Sequence, residues 1–267
     1  MTTMVVGIDL HHAPPNSVRP SHAAVVASLD KNCTQFKTVV GPQQKTRTEE
    51  ITDLKGKMRQ CVRTFVENNG MRPDRIIIYR DGVAQNMFAE VIKNEITAVQ
   101  AAMFEEGGSG YSPELVYVVC QMRTKARLAM PGPNGQIPRG QGGSVPPGTV
   151  IDTAITEAGM FDFYMVPHHA LKGTARGSHY WVLQNDARLT ANDVQRFTFD
   201  LCHLYQRATK IVSRPAPVYY AHRAAFCAQY YTSGYQEDDG KWETSSVMSS
   251  AGSDESSFST ASVGTAM

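Results

Sequence analysis

A chain of 267 residues, 42% of them hydrophobic, suits one large domain or two small ones with a real core. Its five cysteines (Cys33, Cys61, Cys120, Cys202 and Cys227) are odd in number and contain no Cys-x-x-Cys pair, which argues against a zinc ribbon or a disulfide frame and suits a reducing compartment. The net charge of +1 hides an asymmetry: residues 233–267 hold six acids and one base, so of 26 bases and 25 acids residues 1–232 keep 25 and 19, a basic body suited to a polyanionic partner. The opening Met-Thr-Thr-Met runs straight into a strand, so no secretory leader is expected. No apolar run approaches a membrane span, so no membrane partner is expected. The expected location is the cytoplasm, with the nucleus as the alternative.

In chain order, residues 5–9, 22–29 and 34–40 read as three strands with short connections. Residues 46–68 read as a helix, because Ile51, Leu54, Met58, Cys61, Val62 and Phe65 recur at three- and four-residue spacing. Residues 75–80 form a fourth strand. A second helix over 84–105 places Met87, Phe88, Val91, Ile92, Ile96 and Val99 on one side, and residues 114–120 are another buried strand. The Gly- and Pro-rich stretch 130–148 is a loop, followed by short strands near 161–166 and 179–184 and helices near 191–209 and 217–230. From Ser233 the composition turns to Ser and acids, with ten Ser in the last 35 residues, and reads as a disordered tail after a domain spanning 1–232.

Two of these strands share an unusual ending. Val5-Val-Gly-Ile runs into Asp9, and the strand Arg75-Ile-Ile-Ile-Tyr-Arg runs into Asp81, with Gly82 turning the chain away. An acid at the tip of a buried strand is costly unless a cation or a partner compensates it. Two such tips side by side would suit magnesium, which takes one or two carboxylates plus substrate phosphates and water. The pattern therefore points to metal-assisted phosphodiester chemistry.

Several segments, in a fixed order, carry a more specific signal. They are Gly7-Ile-Asp-Leu-His-His12, Pro20-Ser-His-Ala-Ala-Val-Val-Ala-Ser28, Tyr79-Arg-Asp-Gly-Val83, Gly148-Thr-Val-Ile-Asp152, Phe161-Asp-Phe-Tyr164, Gly173-Thr-Ala-Arg-Gly-Ser-His-Tyr180 and Pro215-Ala-Pro-Val-Tyr-Tyr-Ala-His222. Together they resemble the PIWI domain of a eukaryotic Argonaute, from about Met4 to Tyr231. The resemblance implies an α/β, ribonuclease H-like fold with a central mixed sheet flanked by helices. It implies a small-RNA-guided endoribonuclease that uses Mg2+, or Mn2+, to cut guide-paired target RNA in RNA silencing. The implied partners are a small guide RNA, its complementary target RNA and the guide-anchoring domains of a full-length Argonaute.

Carried over residue by residue, the catalytic set falls on Asp9, Asp81 and His222, with Asp9, Asp81 and His222 as metal ligands. The catalytic Glu falls on Glu49 when counted back from Asp53-Leu54, and Glu50 is the rival. Tyr205, Arg207, Ser213 and Tyr219 match positions that touch the guide backbone near its 5′ end. Arg123, Arg127, Arg176 and His179 lie in matching segments and could reach phosphates further along. Each residue also has a structural role open to it: a strand-end Asp as a turn or cap, Glu49 and Glu50 as acids favoured at a helix start, His222 as a core residue, the arginines as solvated surface charge. His11 and His12 lack zinc spacing, and the resemblance makes His12 structural.

Two positions depart from the family. Cys227 stands where the family has an Arg that helps hold the guide's 5′-phosphate, and a thiol cannot replace a guanidinium there. Ala13 stands where Pro is usual after the first Asp-x-x-His. Nothing matches the family's apolar C-terminal ending, and the chain reads as a fragment, a truncated gene product or an incomplete gene model. The second function is an Argonaute-like module that holds a guide duplex without cutting. A third, another ribonuclease H-like enzyme such as a transposase or integrase, leaves the Pro215–His222 segment unexplained.

Overall fold

The structure, a computed structural model, describes residues 1–14, 19–43, 48–122, 124–136, 143–170 and 172–230. The tail expected at 233–267 and Arg123 lie outside them. Eight strands form one mixed sheet: β1 (Thr3–His11), β2 (His22–Ser28), β3 (Phe36–Pro42), β4 (Arg75–Asp81), β5 (Glu114–Gln121), β6 (Thr149–Ile151), β7 (Asp162–Val166) and β8 (Ser178–Asn185). Their order across the sheet is β3-β2-β1-β4-β5-β8-β7-β6. β1, β4 and β5 are mutually parallel and the other pairings are antiparallel. The expected mixed sheet is therefore present. β6 was not among the expected strands, because three residues are too few to show a period.

Strand alternation sorts side chains onto two layers. Met4, Val6 and Ile8 of β1 and Ile76 and Ile78 of β4 face a core built with α1 (Leu54–Asn69) and α3 (Thr97–Gly107). Val5, Ile77 and Tyr79 face the opposite layer, which holds Val194 and Leu201 of α4 (Ala191–Leu201) and Val218 of α5 (Ala216–Ala228). By the same parity Asp9 and Asp81 belong to the α5 layer and Arg80 to the α1 layer.

Three helix boundaries differ from expectation. α1 begins at Leu54, because Asp53 takes a left-handed conformation (φ 54°) and its carboxylate accepts the Gly56 N–H. Ile51 is buried outside the helix, so its burial and not a helical turn made it look periodic. The second helical stretch is composite: a 3-10 turn at Gln85–Met87, a short α2 (Phe88–Glu90), a π-helical segment at Val91–Ile96, then α3. α4 starts with a capping box between Thr190 and Asp193 and stops at Leu201, and residues 202–215 return as a loop to α5. All five cysteines are free and all but Cys227 are buried. Among the described residues no helix is long and apolar enough to cross a membrane.

α5 lies directly on β1, and Gly7 is what lets it. A Cβ at Gly7 would come within 2.2 Å of the Pro217 carbonyl group and 2.5 Å of the Val218 nitrogen, all backbone atoms. Further along α5, Ala221 and Ala225 continue the close approach against Ala24 and Val26 of β2. Gly7→Ala should therefore force α5 off the sheet and destabilise by about 1–3 kcal/mol, a loss of roughly 2–12 °C in melting temperature. Gly41→Ala, whose Cβ would meet only the flexible end of Lys57 at 3.4 Å, should cost much less. Equal melting temperatures for the two variants would refute the close-approach argument.

Candidate active site

β1 and β4 run parallel, with Ile8 opposite Arg80. Asp9 and Asp81 are the next residues on each strand, at the carboxyl ends where open α/β sheets place ligands. Both are buried, at 5% and 8% exposure, so their charges need partners. Asp9 Oδ1 accepts the Leu10 N–H at 2.8 Å and Oδ2 accepts a hydrogen bond from His222 Nδ1 at 2.7 Å. His222 reaches it from α5, one residue beyond the buried Ala221, and keeps 46% of its side chain exposed. Asp81 is paired with Arg214, whose guanidinium donates to Asp81 Oδ2. Burial pushes the Asp81 carboxyl above the usual carboxylate range; Arg214 counteracts this and the neighbouring Asp9 charge reinforces it. Gly82 (φ 87°) then turns the chain away as expected.

Glu49 and Glu50 lie in the loop before α1, not on it. Glu49 Oε1 is 2.9 Å from His12 Nε2, and the Glu49 carbonyl accepts from Arg80 at 2.6 Å. Glu50 is exposed and accepts from the Asn94 amide at 3.3 Å. Arg80 is wholly buried and its guanidinium spans three groups: the Glu95 carboxylate (3.2 Å), the Asp81 carbonyl (2.5 Å) and the Glu49 carbonyl. Tyr117 adds a hydrogen bond to Glu95 at 2.5 Å. This network fixes the backbone at both Glu49 and Asp81 from the opposite face of the sheet.

Asp9, Asp81 and His222 thus lie together at the strand ends, with Glu49 in the neighbouring loop, but through separate partners: Asp9 with His222, Asp81 with Arg214, Glu49 with His12. Among the described residues no three His, Cys, Asp or Glu side chains converge as a ready-made metal site. The donor chemistry still fits a hard divalent cation, since two buried carboxylates on adjacent strand ends repel each other, and among the described residues one guanidinium, that of Arg214, pairs directly with either carboxylate.

The chain's sequence matches the Piwi domain family over residues 1–233. It belongs to that family. Among solved structures, it is similar to Kluyveromyces polysporus Argonaute with a guide RNA, at 31% identity and a TM-score of 0.76, over 85% of this chain and 26% of that one. It is also similar to the C-terminal lobe of a budding yeast Argonaute (30% identity, TM-score 0.75, 85% of this chain, 46% of that one) and to Drosophila Piwi (25%, 0.71, 85% and 30%). The fold is the ribonuclease H-like α/β fold of these Argonaute and Piwi proteins. The Piwi domain described here spans less than half the length of each of them.

The Piwi domain also sorts the expected guide-contacting residues. Tyr205, Ser213 and Tyr219 come together: the two rings lie 4.9 Å apart and the Ser213 and Tyr219 hydroxyls are 2.9 Å apart. Arg207 is exposed nearby in the same loop. Arg127 and Arg176 are exposed, Arg127 donating to the Thr124 and Ala126 carbonyls at 3.0 Å. His179 is not presented to solvent. It is 6% exposed, bonds Asp162 at 2.6 Å and stacks on Tyr164 at 3.9 Å, which ties β8 to β7. Cys227 is half-buried on α5. Arg214 was missing from the expected set. Its signal in the sequence was a lone base directly before Pro215-Ala-Pro, eight residues ahead of His222 on the segment that opens α5.

Proposed function

We propose that this Piwi domain is the nuclease part of a small-RNA-guided, divalent-metal-dependent endoribonuclease that cuts guide-paired target RNA. The observation that supports it is the pair of buried acids, Asp9 and Asp81, at adjacent ends of parallel strands, with His222 held on Asp9. Asp9, Asp81 and His222 would hold Mg2+ or Mn2+, with Glu49 completing the set. When bound, the metal would supply charge stabilisation at the reacting phosphate and a nucleophilic water. The chain's own groups supply the positioning. His222 fixes the rotamer of Asp9, Arg80 fixes the backbone at Asp81 and Glu49, and the hydroxyls of Tyr205, Ser213 and Tyr219 are donors suited to guide phosphates. Exposed Arg127, Arg176 and Arg207 add positive charge for the backbone.

The second reading, a module that holds a guide duplex without cutting, draws on the Arg214–Asp81 pair, which occupies one of the two acids. One assay separates them. The chain is joined to the guide-anchoring domains of a related Argonaute, loaded with a guide, and given a matched or a mismatched target with Mg2+ or Mn2+. Cutting of the matched target alone, abolished by a chelator, is the expected result. Guide-dependent target binding with no cutting in either metal would establish the second reading.

A further inference from the structure

Arg214 stands between two features that the proposed function uses separately. Its guanidinium donates to Asp81, and its charge also acts on Asp9. Its Cζ lies 4.6 Å from the centroid of the Tyr219 ring, whose hydroxyl bonds Ser213. The side chain is 15% exposed, and its Nε has no hydrogen-bond partner among the described residues. The guanidinium therefore has an unspent donor, a carboxylate on one side and two hydroxyls suited to a phosphate on the other. Guanidinium groups pair with carboxylate and phosphate alike, often through two parallel bonds. A guanidinium and a divalent cation also compete directly, because both need the Asp81 oxygens and their like charges repel at that distance.

We propose that Arg214 is an internal counter-ion that holds Asp81 until a nucleic-acid phosphate at Tyr219 and Ser213 draws the guanidinium away, so that RNA and divalent metal bind this chain with positive coupling. The inference rests on the reading of Asp9 and Asp81 as metal ligands. It makes a demand that reading does not: each ligand must raise the other's affinity by the same factor, since linkage is reciprocal. Free of RNA, the chain would leave its nuclease centre closed by its own cation.

The test is Mn2+ binding to the full 267-residue chain, followed by electron paramagnetic resonance, with and without a short RNA duplex. Asp9→Asn serves as the reference that subtracts ions held by the RNA or by the surface. Wild type should bind Mn2+ weakly alone and on the order of tenfold more tightly with the duplex, the scale on which one nearby charge biases a carboxylate. Arg214→Met, which keeps the volume and removes the charge, should bind at the tighter level without RNA and respond little to it. Arg214→Gln should behave the same way and guards against a packing fault in the methionine variant. Equal affinity and equal RNA response in wild type and both variants would overturn the counter-ion role while leaving the metal site standing. If neither wild type nor the variants exceed Asp9→Asn, the metal-site reading falls, and this inference with it.

Discussion

Asp9→Asn and Asp81→Asn should each reduce guide-directed cutting by about 10³-fold or more, with guide binding changed by no more than the roughly tenfold that coupling to metal and Arg214 allows. Losing a carboxylate that organises metal at the reacting phosphate removes several kcal/mol of transition-state stabilisation. On the proposed reading, guide affinity would come from phosphate contacts elsewhere, at Tyr205, Ser213, Tyr219 and the exposed arginines. Asparagine keeps the volume, so the fold should survive. Asp9→Asn also removes the charge that helps push Asp81 upward, and its melting temperature should not fall. His222→Ala, which frees Asp9 Oδ2 from its 2.7 Å partner, should cost at least about tenfold. The two glutamates should separate clearly: Glu49→Ala should impair cutting and Glu50→Ala should not, because Glu49 is held by His12 at the site while Glu50 faces solvent. Single-turnover cleavage with saturating guide measures all five. Full activity in either aspartate variant would end the assignment of the strand-end acids.

The legible parts of this chain were those with a strong local signature. A run of apolar residues that stops at an acid reads as a buried strand, and Asp81 ends β4 just before Gly82 while Asp9 lies two residues before the end of β1. His222 was reached only through the family resemblance. Its contact with Asp9 spans 213 positions of sequence and depends on Gly7 admitting α5 to the sheet. The helix over 84–105 shows where periodicity misleads. Ile92 was expected on the buried side yet is 44% exposed, whereas Glu95 is 3% exposed. The π-helical segment at Val91–Ile96 carries a wider turn, which shifts the phase of the face and brings a carboxylate inward. Arg80 was likewise hard to read, since an arginine inside an apolar strand looks out of place until its partner appears on another element. Arg214 is the same problem in a loop, because a lone base has no period at all.

The Arg80–Glu95 pair sets the last expectation. Both side chains are fully or almost fully buried, at 0% and 3% exposure, and Tyr117 also donates to Glu95 Oε2. Removing one member of such a pair strands a charge in the core, at a cost of about 3–5 kcal/mol, or roughly 6–20 °C in melting temperature for a domain of this size. The two directions should not be equal. Arg80→Met strands a carboxylate, which can escape by taking up a proton. Glu95→Leu strands a guanidinium, which cannot shed one. Glu95→Leu should therefore be the more destabilising, and the double variant should be more stable than Glu95→Leu alone, because no charge is left unpaired. Arg80→Met should still lose cutting beyond its stability cost, since the Glu49 and Asp81 carbonyls lose their common donor. Thermal melts of the two single variants and the double variant decide the matter. Melting temperatures that simply add would show that Arg80 and Glu95 are not coupled, and that the backbone beneath the two acids is held by something else.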